Sequence, residues 1–470
     1  MRGPQRHSVA DKPQVEQLSR EELIALVREL QRQIGQLREE NERLKRSQRR
    51  QAAPFSKEKP VKDPKKPGRK KGQGRFRRRQ TPVEEPNVTV DAQAPPCCPY
   101  CGGPLEQDGV EYATTTDVPE QPKPNVTQYR VAVCHCLGCG KKVRGTAPGL
   151  AADQYGATAH RVGPAVMAAA HALHYGVGVP QRKIPAVLKE LTGVSITQSA
   201  LAQDALRRAK GEVGAQYQQL REAIQAAPFV HTDDTGWRVG GRTAFLMGFD
   251  TDRATIYQIR SQHRNEEVRE VIPSNYAGVM VSDRGKSYDA EEFNEVEQQK
   301  CLGHILRNIS DVVITKQGRA REFGSKAKTL FQDGMELWRA RHCLTEDVFA
   351  EKADKLKQQV THHLRNRILK DDDNQRLLNG LGIQDDRGHL TRFLSVPFVE
   401  PTNNRAERML RPAVIARKVS QCSKNQDGAD AFAAFTSVAQ TALKNGAVSI
   451  TAAFRQLFSA SKAISDGPVE

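Results

Sequence analysis

The sequence lacks any apolar run long enough to cross a membrane. A membrane helix needs about 18 or more consecutive apolar residues. The nearest candidate, VGPAVMAAAHALHYGVGV, is broken by Pro164, His171 and His174. The first residues, MRGPQRHSVADKPQ, also lack the apolar core of a secretion signal. These absences predict a cytoplasmic protein without a membrane partner.

Acidic residues are scarce relative to basic ones. The 470 residues include 72 Lys and Arg against 55 Asp and Glu, which gives a formal net charge of +17. Such an excess predicts a polyanionic partner, most commonly nucleic acid. The length predicts about three domains.

A heptad pattern occupies the stretch LSREELIALVRELQRQIGQLREENERL. Leu23, Leu30, Leu37 and Leu44 recur every seven residues, and Val27, Ile34 and Asn41 follow the first three leucines by four residues. β-Branched residues and one Asn at the a positions, with Leu at d, favour a parallel two-stranded coiled coil. The alternative is an amphipathic helix that packs on its own domain.

A basic segment follows, KRSQRRQAAPFSKEKPVKDPKKPGRKKGQGRFRRR. Residues 45–79 contain 16 Lys and Arg and two acids, so most of the net positive charge lies here. Such a composition cannot form a core and predicts disorder in isolation. We expect contacts with DNA phosphates, and the alternative is a solubilising linker. The residues expected to make these contacts are Arg69, Lys70, Lys71, Arg75, Arg77, Arg78 and Arg79.

Six of the nine cysteines lie between residues 97 and 139. Cys98 and Cys101 form one C-x2-C-G turn, and Cys136 and Cys139 form another. Paired turns of this kind supply four thiolates to a structural Zn²⁺ and predict a zinc ribbon. Cys97 and Cys134 are spare and could shift the set of ligands.

The region from about residue 153 to residue 225 has helical periodicity. RKIPAVLKEL, TGVS and ITQSALAQDALRRAKGEV are typical of a helix, a short turn and a second helix that begins after Ser195 or Thr197. A helix-turn-helix and a plain helical bundle both fit, because the second helix is not basic at its N-terminal end.

From Pro228 the pattern changes to short β-rich runs. FVHTDD, TAFLMGFD and ATIYQIR predict a three-stranded meander, in which FVHTDD ends at a Thr-Gly turn and Gly240–Gly241 leads into the next strand. HRNEEVREVIP predicts a helix, YAGVMVSD a buried strand, and SYDAEEFN another helix. The meander followed by alternating elements predicts a mixed sheet with helices on its faces.

Three acids stand at places that a mixed sheet can bring together. Asp233 follows the first strand, Asp283 follows YAGVMV, and Glu407 lies in the first turns of the helix NNRAERMLRP. Carboxylates suit Mg²⁺ or Mn²⁺, and two such ions about 4 Å apart can promote phosphoryl transfer. Arg405, Arg408 and Arg411 beside Glu407 suit a phosphate backbone.

Four separated sequence blocks resemble those of IS66-family transposases. They are DDTGWRV, SDRGKSYD, QQKCLGHILRNI and TNNRAERMLRPAVIARKVS, and the likeness extends to the heptad helix, the PFSK…PGRKKGQG linker and the C-x2-C turns. These bacterial enzymes have a ribonuclease-H-like catalytic core. The resemblance implies that Asp233, Asp283 and Glu407 are the catalytic, metal-binding acids.

The resemblance also implies an activity. Members cleave strands at transposon ends with Mg²⁺ and join the 3′-OH to target DNA, so we expect DNA and a homodimer or higher homo-oligomer as partners, near the bacterial nucleoid. The family's first block usually reads Asp-Glu-Thr, whereas this chain has Asp233, Asp234 and Thr235. Because strand side chains alternate, Asp234 should face away from the metal, capping the turn or meeting a basic residue from the helical layer.

Other residues of these sequence blocks are predicted to have supporting roles. Cys301 and His304 match a Cys-x2-His block and are expected to be structural or to face DNA on the last strand of the sheet. Tyr288 is expected to pack in the core. Asn403 and Asn404, one turn before Glu407, are expected to orient that side chain or to touch DNA.

The predicted fold class is an α/β ribonuclease-H-like core with a mixed sheet and a helical insertion, preceded by three smaller parts. The expected domains are a coiled coil at 1–46, a basic arm at 47–90, a zinc ribbon at 91–150, a helical DNA-binding domain at 151–227, core segments at 228–314 and 396–470, and a helical insertion at 315–395.

Two other functions fit parts of the pattern. A DNA-binding repressor or architectural protein would use the N-terminal parts and would need no acids on the sheet. A general metal-dependent nuclease would use the same core, because fold alone does not choose the substrate.

Overall fold

A computed structural model describes the regularly folded parts of the chain. These are residues 19–50, 90–91, 95–106, 123–145, 147, 162–314, 316–365, 367–420 and 422–464. Among these residues, no helix combines the length and the apolar character needed to span a membrane. The basic residues of 69–79 lie outside them, so the contacts predicted there stay predictions.

A five-stranded mixed sheet forms the centre of the molecule. Its strands are β3 (Phe229–Val239), β4 (Arg242–Asp250), β5 (Thr255–Arg260), β6 (Val279–Ser282) and β7 (Gln298–Lys300), and their order across the sheet is β5-β4-β3-β6-β7. The first three strands are antiparallel, whereas β3, β6 and β7 run parallel. This mixed sheet with helices is compatible with the expected ribonuclease-H-like core.

Strand β3 is longer than its sequence predicts. It continues through Thr235 and Gly236, which pair with Leu246 and Phe245 of β4, so the predicted Thr-Gly turn is wrong. Cross-strand hydrogen bonding to β4 holds the residues that local turn propensity would release. The chain reverses at Gly240 and Gly241, whose φ angles of 58° and 80° favour glycine.

The two faces of the central strands belong to different hydrophobic clusters. Phe229, Val279 and Val281 pack with helices of the insertion, while Val230 and Met280 join the larger cluster. This alternation follows the two-residue period of a strand. Asp233 and Asp283 continue the odd-numbered series, so both side chains are directed to the face of Phe229.

The larger cluster packs three helices on the meander. They are α5 (Glu212–Gln225), α12 (Asn404–Ser420) and α13 (Gln426–Lys444). Short elements lead into and out of β6. They are α6 (Asn265–Arg269) and a 3₁₀ turn (Glu291–Phe293), much shorter than the two helices predicted there.

Helices from the N-terminal side join the same cluster. They are α2 (Pro164–His171), which continues into a π-helical turn (Ala172–Gly176), then α3 (Ile184–Thr192) and α4 (Gln198–Lys210), together with the C-terminal α14 (Ile450–Ile464). The Oγ1 atom of Thr197 accepts a hydrogen bond from the Ala200 N–H and caps α4, as predicted. A helix-turn-helix role for α3 and α4 stays a prediction.

A helical segment lies between β7 and α12. After α7 (Leu302–Val313) come α8 (Gly318–Arg339), α9 (Glu346–Leu364), α10 (Asp372–Asp386) and α11 (Arg392–Ser395), all within the predicted interval 315–395. The segment returns to the sheet edge, where the Lys300 N–H donates to the His389 carbonyl at 2.8 Å. The insertion is thereby attached to the strand beside the carboxylates.

A long helix and a short hairpin precede α2 along the chain. The heptad stretch forms the single helix α1 (Arg20–Arg50), and an antiparallel hairpin joins β1 (Val133–His135) to β2 (Lys142–Arg144). Val27, Leu30, Ile34 and Leu37 of α1 are about half exposed. Its pairing with a second chain stays a prediction, as does the zinc ribbon.

Candidate functional site

Strand register brings the first two acids to the same end of the sheet. Phe229, Val230 and His231 pair in parallel with Val279, Met280 and Val281, an offset of 50 throughout. The same offset places Asp233 opposite Asp283, beyond the last pair. β6 ends at Ser282 while β3 continues to Val239, so the two acids lie side by side just past the point where the parallel pairing stops.

Asp233 is half-buried in a negatively charged environment. Burial and, to a lesser extent, the charges of Asp234, Asp283 and Glu407 raise the pKa of its carboxyl group to about 7, while a hydrogen bond from the Asp234 N–H at 2.9 Å lowers it. The three predicted acids are therefore near enough to influence one another. A divalent cation would stabilise the ionised form of such a group.

The Asp283 loop has a fixed geometry. The Gly285 N–H donates to Asp283 Oδ1 at 2.8 Å. A Cβ at residue 285 would lie 2.9 Å from that oxygen and 3.3 Å from the Tyr288 ring. Only glycine leaves room for the carboxylate at this bend. Tyr288 is buried, as predicted.

Asn403 fixes the start of the helix that carries Glu407. It is fully buried, its Nδ2 donates to the Thr232 carbonyl at 2.7 Å, and its N–H donates to Cys301 Sγ at 3.1 Å. Burial lowers the pKa of His231 to about 4, so the ring is neutral at pH 7, and its Nδ1 lies 3.0 Å from Asn403 Oδ1. Asn403 thus links the start of α12 to β3 through its side chain and to Cys301, just after β7, through its backbone N–H. Asn404 is exposed instead.

The same helix is pressed against β4. Gly248 pairs with Asp233, and a Cβ there would lie 2.3 Å from Met409 Cε, so a larger residue would force the Met409 side chain to move. The Tyr257 hydroxyl donates to the Met409 carbonyl at 2.5 Å. These contacts hold α12, which carries Glu407, close to β4 beside Asp233.

Glu407 has a cation beside it. Its carboxylate lies 3.5 Å from Arg307 of α7, and both side chains are substantially exposed. His304, one turn earlier, has a buried Nδ1 without a hydrogen-bond partner among the described residues. Burial and Arg307 lower the pKa of His304, whereas the charges of Asp283 and Glu407 raise it. His304 lies on α7 and not on the last strand of the sheet as predicted. The effect of Asp283 and Glu407 on its pKa shows that its ring is near both acids.

The arginines beside Glu407 differ in their surroundings. Arg405 donates to Asp250 and Asp252 at 2.7 Å, so its guanidinium is used within the protein. Arg408 and Arg411 are exposed on α12. DNA contacts stay a prediction for all three, but only the last two side chains are open to solvent.

The donor set suits a hard divalent cation. Three carboxylates and no thiolate are the ligands that Mg²⁺ and Mn²⁺ prefer. In the described part of the chain, however, no three His, Cys, Asp or Glu side chains converge closely enough to hold a metal ion as they stand. The three carboxylates are the type of ligand that the cation prefers, but they would have to move closer together when the cation binds.

The two cysteine turns have the same backbone geometry. In the first, the Cys98 N–H donates to the Gly103 carbonyl and the Gly102 N–H to the Cys98 carbonyl; Cys136, Lys141 and Gly140 repeat this pattern in the second. Gly102 and Gly140 have φ angles of 72° and 69°. Neighbouring backbone N–H groups lower the pKa of the Cys98 and Cys136 thiols, which favours the thiolate that zinc needs.

Two residues near the carboxylates, Lys300 and His263, have contacts that the sequence does not predict. Lys300 is fully buried, and its Nζ lies 2.7 Å from Asp289 Oδ1 and 3.3 Å from Ser282 Oγ, directly before Asp283. His263 lies 3.1 Å from Asp234. The predicted basic neighbour of Asp234 exists, but it comes from the loop after β5 and not from the helical layer.

Comparison with known proteins agrees with this geometry. The model of the IS66 transposase family matches residues 160–431, more than half of the chain and all of the sheet. A search of curated proteins finds no match. The matched range includes Asp233, Asp283 and Glu407. The chain therefore belongs to the IS66 family of transposases.

Proposed function

We propose that this transposase cleaves DNA at transposon ends and transfers the freed 3′-OH to target DNA. Asp233, Asp283 and Glu407 would hold Mg²⁺ or Mn²⁺. The observation that carries the proposal is that Asp283 and Glu407 both lie near enough to raise the pKa of Asp233, which is about 7. A carboxyl group this strongly perturbed in a surface-facing cluster is typical of a functional site.

The bound cations would supply a Lewis acid for the phosphodiester and a lowered pKa for the attacking water or 3′-OH. Asp233 and Asp283, side by side on β3 and β6, would orient the cations on the sheet side. Glu407, from α12, would close the site from the helix side and help to orient the nucleophile. Arg307, beside Glu407, is suited to a DNA phosphate because a guanidinium binds phosphate oxygens in pairs.

The remaining parts would hold DNA and pair chains. The exposed Arg408 and Arg411 and the basic segment 45–79 would contact the phosphate backbone. Cys98, Cys101, Cys136 and Cys139 would bind one structural Zn²⁺, which would draw the two cysteine turns together. The half-exposed apolar side chains of α1 would pair with those of a second copy.

Substitution of the second acid tests the chemistry. Asp283→Asn removes a charge needed to hold the cation and should abolish Mg²⁺-dependent nicking of DNA that contains transposon ends, while leaving DNA binding unchanged. Nicking on a sequencing gel and binding by mobility shift measure the two effects. Glu292→Gln, an exposed acid nine residues later, is the matched control and should cleave as the wild type does.

The same assay separates the alternatives. Survival of nicking in Asp283→Asn would refute the assigned site. Binding without any cleavage by the wild type would favour the repressor, and equal cleavage of DNA without transposon ends would favour the general nuclease.

A further inference from the structure

Asp234 is held away from the proposed metal site. Side chains alternate along β3, so Asp234 is directed to the face opposite Asp233. There its Oδ1 lies 3.1 Å from Nδ1 of His263, three residues after β5 ends. The side chain of His263 is only 8% exposed and that of Asp234 18%, so the pair is largely shielded from water.

The other ring nitrogen of His263 reaches the loop that carries the second acid. His263 Nε2 lies 3.2 Å from Oγ of Ser287, four residues after Asp283. The next residue, Tyr288, packs its ring against that of His263, with 5.4 Å between ring centroids. Its hydroxyl lies 3.3 Å from Thr232 Oγ1 of β3. Two polar links thus join β3 to this loop.

Both ring nitrogens of His263 have a hydrogen-bonding neighbour. Nδ1 faces Asp234 Oδ1 and Nε2 faces Ser287 Oγ. The imidazole ring thus connects the side chain of Asp234 on β3 to the side chain of Ser287 on the loop.

The same order of residues occurs in serine hydrolases, but burial excludes a nucleophile here. Ser287 is 9% exposed and its Oγ is occupied by His263. A triad serine needs access to a substrate carbonyl beside an oxyanion site. The arrangement can hold parts of the protein in place, and it lies on the far side of β3 from Asp233.

We infer that Asp234, His263 and Ser287 form a clamp that positions the Asp283 loop against β3. The inference rests on the proposed metal site, since its purpose is to set the separation between Asp233 and Asp283. The loop is short, and Asp283 is tied to it through the Gly285 N–H. Fixing Ser287 and Tyr288 therefore fixes the direction of the Asp283 carboxylate. The three clamp members are positioning residues that touch neither cation nor DNA.

The clamp gives a physical reason for an acid beside Asp233. Two adjacent carboxylates repel, and the charge of Asp234 raises the pKa of Asp233. The hydrogen bond to His263 offsets that cost by ordering the loop on which the second metal ligand depends. Partners of this kind behind metal ligands commonly change metal affinity by about 10- to 100-fold.

Metal binding to the full-length protein without DNA tests the clamp. Mn²⁺ affinity would be measured by isothermal titration calorimetry, with the unfolding temperature recorded for every variant. Asp234→Ala and Ser287→Ala should each weaken Mn²⁺ binding by about 10-fold or more. Asp234→Asn keeps an acceptor for His263 without the charge, and Ser287→Thr keeps the hydroxyl, so both should bind within about threefold of the wild type.

A matched control separates positioning from general stability. Tyr217→Phe removes a single 2.8 Å hydrogen bond to the Tyr257 carbonyl on β5, away from the acids. It should lower the unfolding temperature and leave Mn²⁺ affinity unchanged. If Asp234→Ala fails to fold, Ser287→Ala and Ser287→Thr decide alone.

The outcomes distinguish the clamp from the metal site. Wild-type affinity in folded Asp234→Ala and Ser287→Ala proteins would overturn the clamp and leave the proposed function standing. Equal weakening in Asp234→Ala and Asp234→Asn would assign the effect to charge and would also overturn the clamp. Absence of Mn²⁺ binding that depends on Asp283 would overturn the proposed function itself.

Discussion

Individual side chains of this transposase serve either the fold or the surface, and the two classes alternate over very short distances. Asp233 and Asp234 are adjacent and face opposite sides of β3. Arg405 is tied to Asp250 and Asp252, whereas Arg408, three residues on, is open to solvent. Residue type alone does not distinguish these roles, because it does not show whether a charged side chain already has an oppositely charged partner within the protein.

The raised pKa of Asp233 predicts that this acid destabilises the metal-free protein. The carboxyl group binds its proton more tightly in the folded state, with a pKa of about 7 against the ordinary value of 3.8. Asp233 therefore costs no folding stability below about pH 4, where its carboxyl group is protonated in both states. This cost grows as the pH rises towards 7. Asp233→Asn removes this cost and should stabilise the protein at pH 8 by about 2–4 kcal/mol.

Denaturant unfolding at pH 4 and pH 8 in the presence of a chelator checks this. Little difference from the wild type is expected at pH 4, because the carboxyl group is then protonated in both states. Equal stabilities at pH 8 would contradict the proposed environment of Asp233. The same variant should have no cleavage activity, so stability and activity change in opposite directions.

Arg405 and Arg408 should respond differently to removal. Arg405→Ala leaves Asp250, which is 4% exposed, with Lys444 as its remaining cation, and should cost about 2–4 kcal/mol of the free energy of unfolding. Arg408→Ala should leave stability unchanged and lower DNA affinity, with the salt dependence reduced by about one phosphate contact.

Thermal unfolding and DNA binding over a range of salt concentrations measure both effects. A stable Arg405→Ala protein would show that the ion pairs with Asp250 and Asp252 contribute little. An unchanged salt dependence in Arg408→Ala would remove this residue from the proposed DNA surface.

Among the described elements, α1 leaves several apolar heptad side chains about half exposed. Leu30→Glu places a charge at a d position of the heptad and should convert a dimer into a monomer with the 52.2 kDa mass of one chain. Ala25→Glu places the same charge on the outer face of the helix and should leave the dimer intact. Light scattering during gel filtration measures the mass, and a Leu30→Glu protein that stays dimeric would place the interface elsewhere.

Elements with regular periodicity could be predicted from the sequence, and those set by long-range pairing could not. The strands FVHTDD, TAFLMGFD, ATIYQIR and GVMVS and the helices of the insertion follow from alternation and helical spacing. The continuation of β3 through Thr235 and Gly236 depends on partners in β4 that local propensity does not contain. The helix predicted over SYDAEEFN reduces to a 3₁₀ turn because the chain must enter β7 a few residues later.

The residues of the candidate site also divide into those that could be predicted from the sequence and those that could not. Asp233, Asp283 and Glu407 could be selected from strand ends and family blocks, and the offset of 50 explains why the first two meet. The contacts of His263 and Lys300 could not, since each acts through a partner distant in sequence; Lys300 lies in the block QQKCLGHILRNI, but that block does not indicate its contact with Asp289. The anchoring role of Asn403 was expected in outline, but its link to Cys301 appears only in three dimensions.

At the scale of the whole molecule, net positive charge is concentrated in one segment of the sequence. Residues 45–79 carry 16 of the 72 basic residues, and their removal lowers the net charge by 14. A chain that lacks them should bind DNA more weakly and with a shallower dependence on salt, because fewer counterions are released.

The slope of log affinity against log salt concentration measures this directly. It should decrease by about 0.9 for each phosphate contact that is lost. An unchanged slope in the shortened chain would mean that this segment does not bind DNA and would favour its role as a solubilising linker.

The order of the three acids along the chain also has a consequence in time. Glu407 follows Asp233 by 174 residues, and the whole helical insertion lies between Asp283 and Glu407. At typical rates of about 5–20 residues per second, synthesis of the 174 residues from Asp233 to Glu407 takes roughly 9–35 s, and the earlier domains can begin to fold during this time. On the proposed assignment, a nascent or prematurely terminated chain that ends before α12 would carry the segments proposed to bind DNA without the proposed third carboxylate, and would occupy a transposon end without cutting it.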